Sequence, residues 1–220
     1  MSLLRVLVAD DSKAMRNAYR NILRTKDDIE VVAIASDGQE ALEKSIELAP
    51  DVVVLDVRMP KLDGLAVANR IVERNSQTAI VLISAYDDLA FVRAIIHNGA
   101  SRKAYILKNS LDDIAEFIRV VEVVAEGGAV LHGTIAQNLI GIYNRLPATR
   151  DRPLTETEER VLRYMLEGYN AAGIAQTLRL PLETVDALAT SLCEKLGLAV
   201  QDDLDRSPQV VQAMVNLCIS

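Results

Sequence analysis

Short apolar runs and amphipathic stretches take turns through the first half of the chain. Residues 3–9 (LLRVLVA), 31–35, 52–55, 79–83 and 104–107 are nearly continuous runs of Val, Ile, Leu and Ala. Continuous rather than alternating apolarity marks strands buried on both faces, as in a parallel sheet. Between them, residues 12–25, 38–48, 65–73, 88–98 and 111–126 space their apolar positions three or four apart, as with Met15, Tyr19, Ile22 and Leu23. That is the pattern of a helix with one buried face. Pro50 and Gly99 provide stops. Five β-α units in a row predict an α/β fold, a doubly wound five-stranded parallel sheet with helices on both faces.

Beyond residue 126 the pattern changes. Gly127-Gly128 breaks the helix, a short apolar-periodic piece follows (Ile135, Leu139, Ile142, Tyr143), and LPATRDRP carries two prolines and three charges. This composition predicts an exposed connector that lets the flanking parts move. From Leu154 the periodicity is wholly helical. Thr155 and Glu158 have capping-box spacing, and Val161, Leu162, Met165 and Leu166 form an apolar face closed by Gly168. Residues 170–178 and 182–196 predict two more helices around the turn at Leu180-Pro181. A last helix is expected over 210–219, with Pro208 delaying its start. The chain therefore divides into an α/β domain (1–126), a linker with one helix (127–153) and a smaller all-α helix-turn-helix domain (154–220).

Composition narrows the class. Half of the 220 residues are apolar, yet no uncharged run is long enough to span a bilayer, and no basic leader precedes an apolar segment. A soluble cytoplasmic protein is expected. Cys193 and Cys218 fit no metal or redox spacing and read as reduced thiols. A net charge of -7 excludes a generally basic nucleic-acid-binding surface, though not a local patch.

The predicted strand ends collect one chemical set: Asp10-Asp11, Asp56, Ser84 and Lys108. Open α/β sheets bind ligands at the carboxyl ends of their strands. Singly, each residue has a plainer role. An Asp caps a loop or helix, and a Lys is a solvated amine. Jointly they suit phosphoryl transfer to a carboxylate. Three clustered carboxylates need a cation, and their hard oxygens suit Mg²⁺. Lys108 and the Ser84 hydroxyl are then left to hold phosphoryl oxygens, and Asp56, at the tip of the central strand, is the nucleophile. Met59-Pro60 and Asp63-Gly64 follow as turn chemistry, Gly64 supplying a conformation closed to other residues.

The spacing of Asp10-Asp11, DVRMPKLDG, Ser84-Ala85 and Lys108 resembles the receiver domain of two-component response regulators, with a flavodoxin-like fold. The resemblance implies that Asp56 accepts phosphate from a sensor histidine kinase with Mg²⁺ and loses it slowly, so that the chain is not an enzyme in its own right. It assigns Ser84 and Tyr105 to the hydroxyl and aromatic switch positions, and Arg58 and Tyr86 to two variable positions that tune phosphate lifetime. Asn109 stands where many receivers have Pro, and Ser101 to Ala104 lengthen the connection before Tyr105. His97 and His132 are isolated and read as surface residues.

The stretch LTETEERVLRYMLEGYNAAGIAQTLRLPLETV with CEKLGL resembles the LuxR-type domain of NarL-like response regulators. That implies DNA binding through the helix over 182–196, transcriptional control and a homodimer on activation. The candidate DNA contacts are Thr184, Thr190, Ser191 and Lys195. Charge opposes this. Asp186, Leu188 and Glu194 occupy positions where the family carries basic or hydrogen-bonding residues, and six basic residues face eleven acidic ones from Asp151 onward. Anions there repel phosphates. Two functions follow: a response regulator that controls transcription, or a phosphate-switched protein-interaction module whose helix-turn-helix no longer binds DNA.

Overall fold

The computed structural model describes residues 3–108, 113–149, 152–199 and 207–219. Asn109 and most of QDDLDRSP lie outside those residues. By internal contacts the chain forms two compact units, residues 1–87 with 102–127 and residues 88–101 with 128–220.

In the first unit, β1 (Leu4–Ala9), β2 (Ile29–Ala35), β3 (Val52–Asp56), β4 (Ala79–Ser84) and β5 (Lys103–Leu107) pair in parallel in the order β2-β1-β3-β4-β5. Every residue of β3, β4 and β5 is buried, the apolar runs as expected of strands covered on both faces and, with them, the polar terminal residues Asp56, Ser84 and Lys103. The helices are α1 (Lys13–Leu23), α2 (Gly38–Leu48), α3 (Gly64–Arg74) and α5 (Ile114–Ala125). α1 touches α5, and α2 touches α3, so the two pairs form separate layers on the sheet. Side chains of Ser12, Asp37, Asp63 and Asp113 cap these helices, each accepting a hydrogen bond from a first-turn N–H.

Register places the chemistry. Ala9 pairs with Leu55, Asp56 with Ile83, and Ser84 with Leu107. Asp10, Asp56, Ser84 and Lys108 therefore leave the sheet along one carboxyl edge. Gly64 serves this edge differently from the sequence expectation. Its φ is not positive; rather, a Cβ there would run into the carbonyl of Asp56. The left-handed residue of the turn is Lys61, at φ 67.

The second unit holds α4 (Leu89–Ile96), a strand beyond the five expected, β6 (Ala129–Leu131), and helices α6 (Gly133–Tyr143), α7 (Glu156–Leu166), α8 (Ala171–Leu178), α9 (Leu182–Lys195) and α10 (Ser207–Cys218). Residues 127–153 thus contain β6, α6 and a 3₁₀ turn at Pro147–Thr149. α6 packs on α7 and α10 with Ile135, Leu139 and Tyr143 buried. α7, α8 and α9 pack on one another around Val161, Leu162, Ile174, Val185 and Leu192, and α10 also packs on α4. Pro208 does not delay α10. It sits in the first turn, where a proline's missing N–H has no helical partner to lose. No helix among the described residues is long and apolar enough to cross a membrane.

Candidate functional site

Two buried acids and one amine form the centre. Asp10 is 0% exposed and Asp56 4%, and Lys108 Nζ bridges them at 3.0 Å to Asp10 Oδ2 and 2.9 Å to Asp56 Oδ2. Asp11 is exposed, and one carboxylate oxygen from each of Asp10, Asp11 and Asp56 lies within 4.8 Å of the others. The remaining oxygens are also held: the Ser12 N–H donates to Asp10 Oδ1 at 2.8 Å, and the Arg58 N–H to Asp56 Oδ1 at 3.3 Å. Burial pushes the Asp56 carboxyl above the ordinary carboxylate range and the neighbouring Asp10 charge adds to this, against the opposing Lys108. For Lys108, burial pulls the ammonium down, but its bonds to Asp56 and Asp10 outweigh that and hold it up.

Among the described residues, the Lys108 ammonium alone bridges these carboxylates, which leaves the pocket short of positive charge. The donors are hard oxygens at an open edge, with one acid exposed to water. That set fits Mg²⁺, which takes a few carboxylates and keeps several waters.

Beside the acids, Ser84 is buried and its Oγ accepts from the Tyr86 N–H at 3.0 Å. Tyr105, with no exposed surface, donates its hydroxyl to the Tyr86 carbonyl at 2.9 Å. The Tyr86 ring stands in solvent with the Arg58 guanidinium 5.3 Å from its centroid. Such a stack is worth about 0.5–1 kcal/mol at an exposed site. Tyr86 is thereby gripped through both main-chain groups, by Ser84 and Tyr105.

In the second unit, α9 exposes Glu183, Thr184, Asp186 and Glu194, while Thr190 and Ser191 are half-buried. Lys195 Nζ reaches Glu158 Oε2 at 2.7 Å and the Pro153 carbonyl at 2.8 Å, and Ser191 Oγ reaches Glu158 Oε1 at 3.0 Å. Glu158 is 4% exposed and also closes the capping box of α7 with Thr155. Burial raises its carboxyl, but Lys195, the Thr155 N–H and Ser191 together hold it down to about 2. Two of the four candidate DNA contacts thus join α9 to the start of α7.

Residues 6–119 match the response regulator receiver domain family, and residues 152–204 match the luxR family of bacterial regulatory proteins. The chain belongs to the response regulators. It is 29% identical to the transcriptional regulatory protein DegU of Brevibacillus brevis, covering 97% of this chain and 94% of that one. It is 32% identical to the oxygen regulatory protein NreC of Staphylococcus carnosus, covering 91% and 94%. In fold it resembles the RcsB response regulator of Salmonella typhimurium, with a TM-score of 0.57 and 20% identity over 99% of this chain and 98% of that one.

Within this response regulator, some neighbours of the site carried no legible signal in the sequence. Tyr19 reads as one apolar position among four, yet its buried hydroxyl has no hydrogen-bond partner, and burial, then the charges of Asp10 and Asp56, raise its pKa. Arg16, six residues beyond Asp10, holds the main chain of the acid pair. His132 is the N-cap of α6, its Nδ1 accepting from the Thr134 N–H, and His97 is exposed at the end of α4.

Proposed function

We propose that Asp56 accepts a phosphoryl group from a sensor histidine kinase, with Mg²⁺ held by Asp10, Asp11 and Asp56. The observation that carries this reading is the convergence of two buried acids and Lys108 at the end of the central strand, with Asp11 beside them at the open edge. A Mg²⁺ ion held there would offset the negative charge on the oxygens of the transferred group. An Asp56 carboxylate oxygen forms the new O–P bond as the P–N bond of the kinase's phosphohistidine breaks and its electron pair returns to the imidazole, while Lys108 and Ser84 hold phosphoryl oxygens. Phosphate draws the Ser84 hydroxyl inward, away from the Tyr86 N–H, and Tyr105 follows through Tyr86. The local charge biases a two-state element. Arg58 and Tyr86 screen the phosphoryl group from water, so that it is lost slowly and without further catalysis. The output is transcriptional control in the cytoplasm by a homodimer formed on phosphorylation, its LuxR-type domain bound to DNA. The test is phosphorylation of the full chain by acetyl phosphate with Mg²⁺, read by intact mass and by loss of the adduct in Asp56→Asn.

A second reading has an observation of its own. Lys195 is engaged by Glu158, and α9 exposes three acids. On this reading the helix-turn-helix domain contacts a protein and not DNA. Anisotropy titration of the phosphorylated chain with mixed genomic fragments at low salt separates the two: saturable binding supports transcriptional control, and none supports the protein contact.

A further inference from the structure

The turn that presents the acid pair is held from behind by the Arg16 side chain. Arg16 lies in the first turns of α1, half-buried, and its Nη1 donates to the carbonyl of Asp10 at 2.7 Å and to that of Asp11 at 2.9 Å. Both carbonyls precede the N-cap Ser12, where neither the β1 ladder nor the α1 helix has a donor to offer. One guanidinium nitrogen therefore ties together the two peptide groups whose orientation decides where the Asp10 and Asp11 carboxylates point. The Ser12 N–H fixes one oxygen of Asp10 and Lys108 the other; the main chain beneath both acids is fixed by Arg16.

We propose that Arg16 is a positioning residue for the metal-binding acid pair, setting Mg²⁺ affinity by holding the Asp10-Asp11 main chain through its two carbonyl hydrogen bonds. This rests on the reading of Asp10, Asp11 and Asp56 as the Mg²⁺ site. It makes a prediction opposite in sign to that of charge alone. Arg16 is a cation beside a cation site, so by Coulomb repulsion its removal should tighten Mg²⁺. Loss of the two hydrogen bonds frees the turn and should weaken it. Partners behind metal ligands typically carry about 10- to 100-fold of affinity, so the positioning effect dominates.

The experiment is calorimetric titration of the full chain with MgCl₂, comparing wild type with Arg16→Met, which keeps an unbranched apolar stem but has neither donor nor charge. Arg16→Gln serves as the second variant should the first not fold, and far-UV circular dichroism without metal reports folding. About tenfold or more weaker Mg²⁺ binding is expected in either variant. Phosphorylation by acetyl phosphate should return to the wild-type rate at saturating Mg²⁺, a recovery that a general loss of folding would not give. Wild-type binding with unchanged or tighter binding in the variants overturns the role of Arg16 and leaves the metal site standing. Absence of saturable Mg²⁺ binding by the wild type overturns the site and this proposal together.

Discussion

Replacing Glu158 with Gln tests whether the Glu158 cluster is what fixes α9 to α7. The carboxylate is 4% exposed and takes hydrogen bonds from Lys195, Ser191 and the Thr155 N–H. Its pKa is lowered from 4.5 to about 2. A folded value below the unfolded one means that the charged form favours folding, so the contribution is full above 4.5 and is lost as pH falls toward 2. At about 1.4 kcal/mol per pKa unit this amounts to roughly 3 kcal/mol at pH 7. The same linkage leaves roughly 2 kcal/mol at about pH 3.5. Gln keeps the shape and one acceptor but leaves Lys195, 21% exposed, without its counter-ion. Breaking a buried pair costs about 3–5 kcal/mol, and the access of Lys195 to water places this case at the lower end. Urea unfolding of the full chain by circular dichroism, with hydrogen exchange on α7 and α9, measures it. A loss of roughly 2–3 kcal/mol at pH 7 that shrinks toward pH 3.5, with exchange faster at the start of α7 and the end of α9, is expected. Equal stability at pH 7, or a loss that does not change with pH, would refute the reasoning.

Lys108→Met removes the ammonium bridging Asp10 and Asp56, and with a side chain 26% exposed its loss should cost about 2–3 kcal/mol. Because burial holds the folded Asp56 value above 3.8, protonation favours the folded form, so the penalty should diminish as pH falls through that raised value; melting temperatures from pH 7 to pH 4 check this. In Tyr86→Ala the Arg58 stack is gone, and the phosphoryl half-life on ³²P-labelled protein should shorten about two- to fivefold. Tyr105→Phe removes the hydroxyl that holds the Tyr86 carbonyl and should shorten it less than additively with Tyr86→Ala; a fully additive double variant would show that the two act separately. With Lys195 occupied by Glu158, any DNA binding should show a shallow dependence on salt, measured by anisotropy from low to moderate KCl, and a steep one would mean that more cations reach phosphate.

The strands were legible because a run such as VVVL admits no amphipathic alternative, and their ends named Asp56, Ser84 and Lys108 without any knowledge of register. What brought them together was the register itself, Ala9 against Leu55 and Ser84 against Leu107, which local pattern does not encode. Gly64 showed that something other than a glycine would fail there, but the reason is the Asp56 carbonyl packed against it, a tertiary fact. The strand β6 is three residues long, too short to separate from the turn before it. Thr155 and Glu158 announced their capping box by spacing. The further attachment of Glu158 to Ser191 and Lys195 spans more than thirty residues, and spacing alone made those two look free for DNA. The two main-chain groups of Tyr86, held by Ser84 and Tyr105, are equally invisible in a sequence, since peptide groups carry no residue identity.

On the function proposed, the buried carboxylate at the end of β3 is the phosphoryl acceptor. Peptide mapping of the acetyl phosphate-treated full chain, after borohydride reduction of the acyl phosphate, tests it directly. One Mg²⁺-dependent modification is expected, on Asp56, abolished by chelator and absent from Asp56→Asn. Modification of Asp10 or Asp11 in its place, or none at any Mg²⁺ concentration in a folded protein, would contradict it.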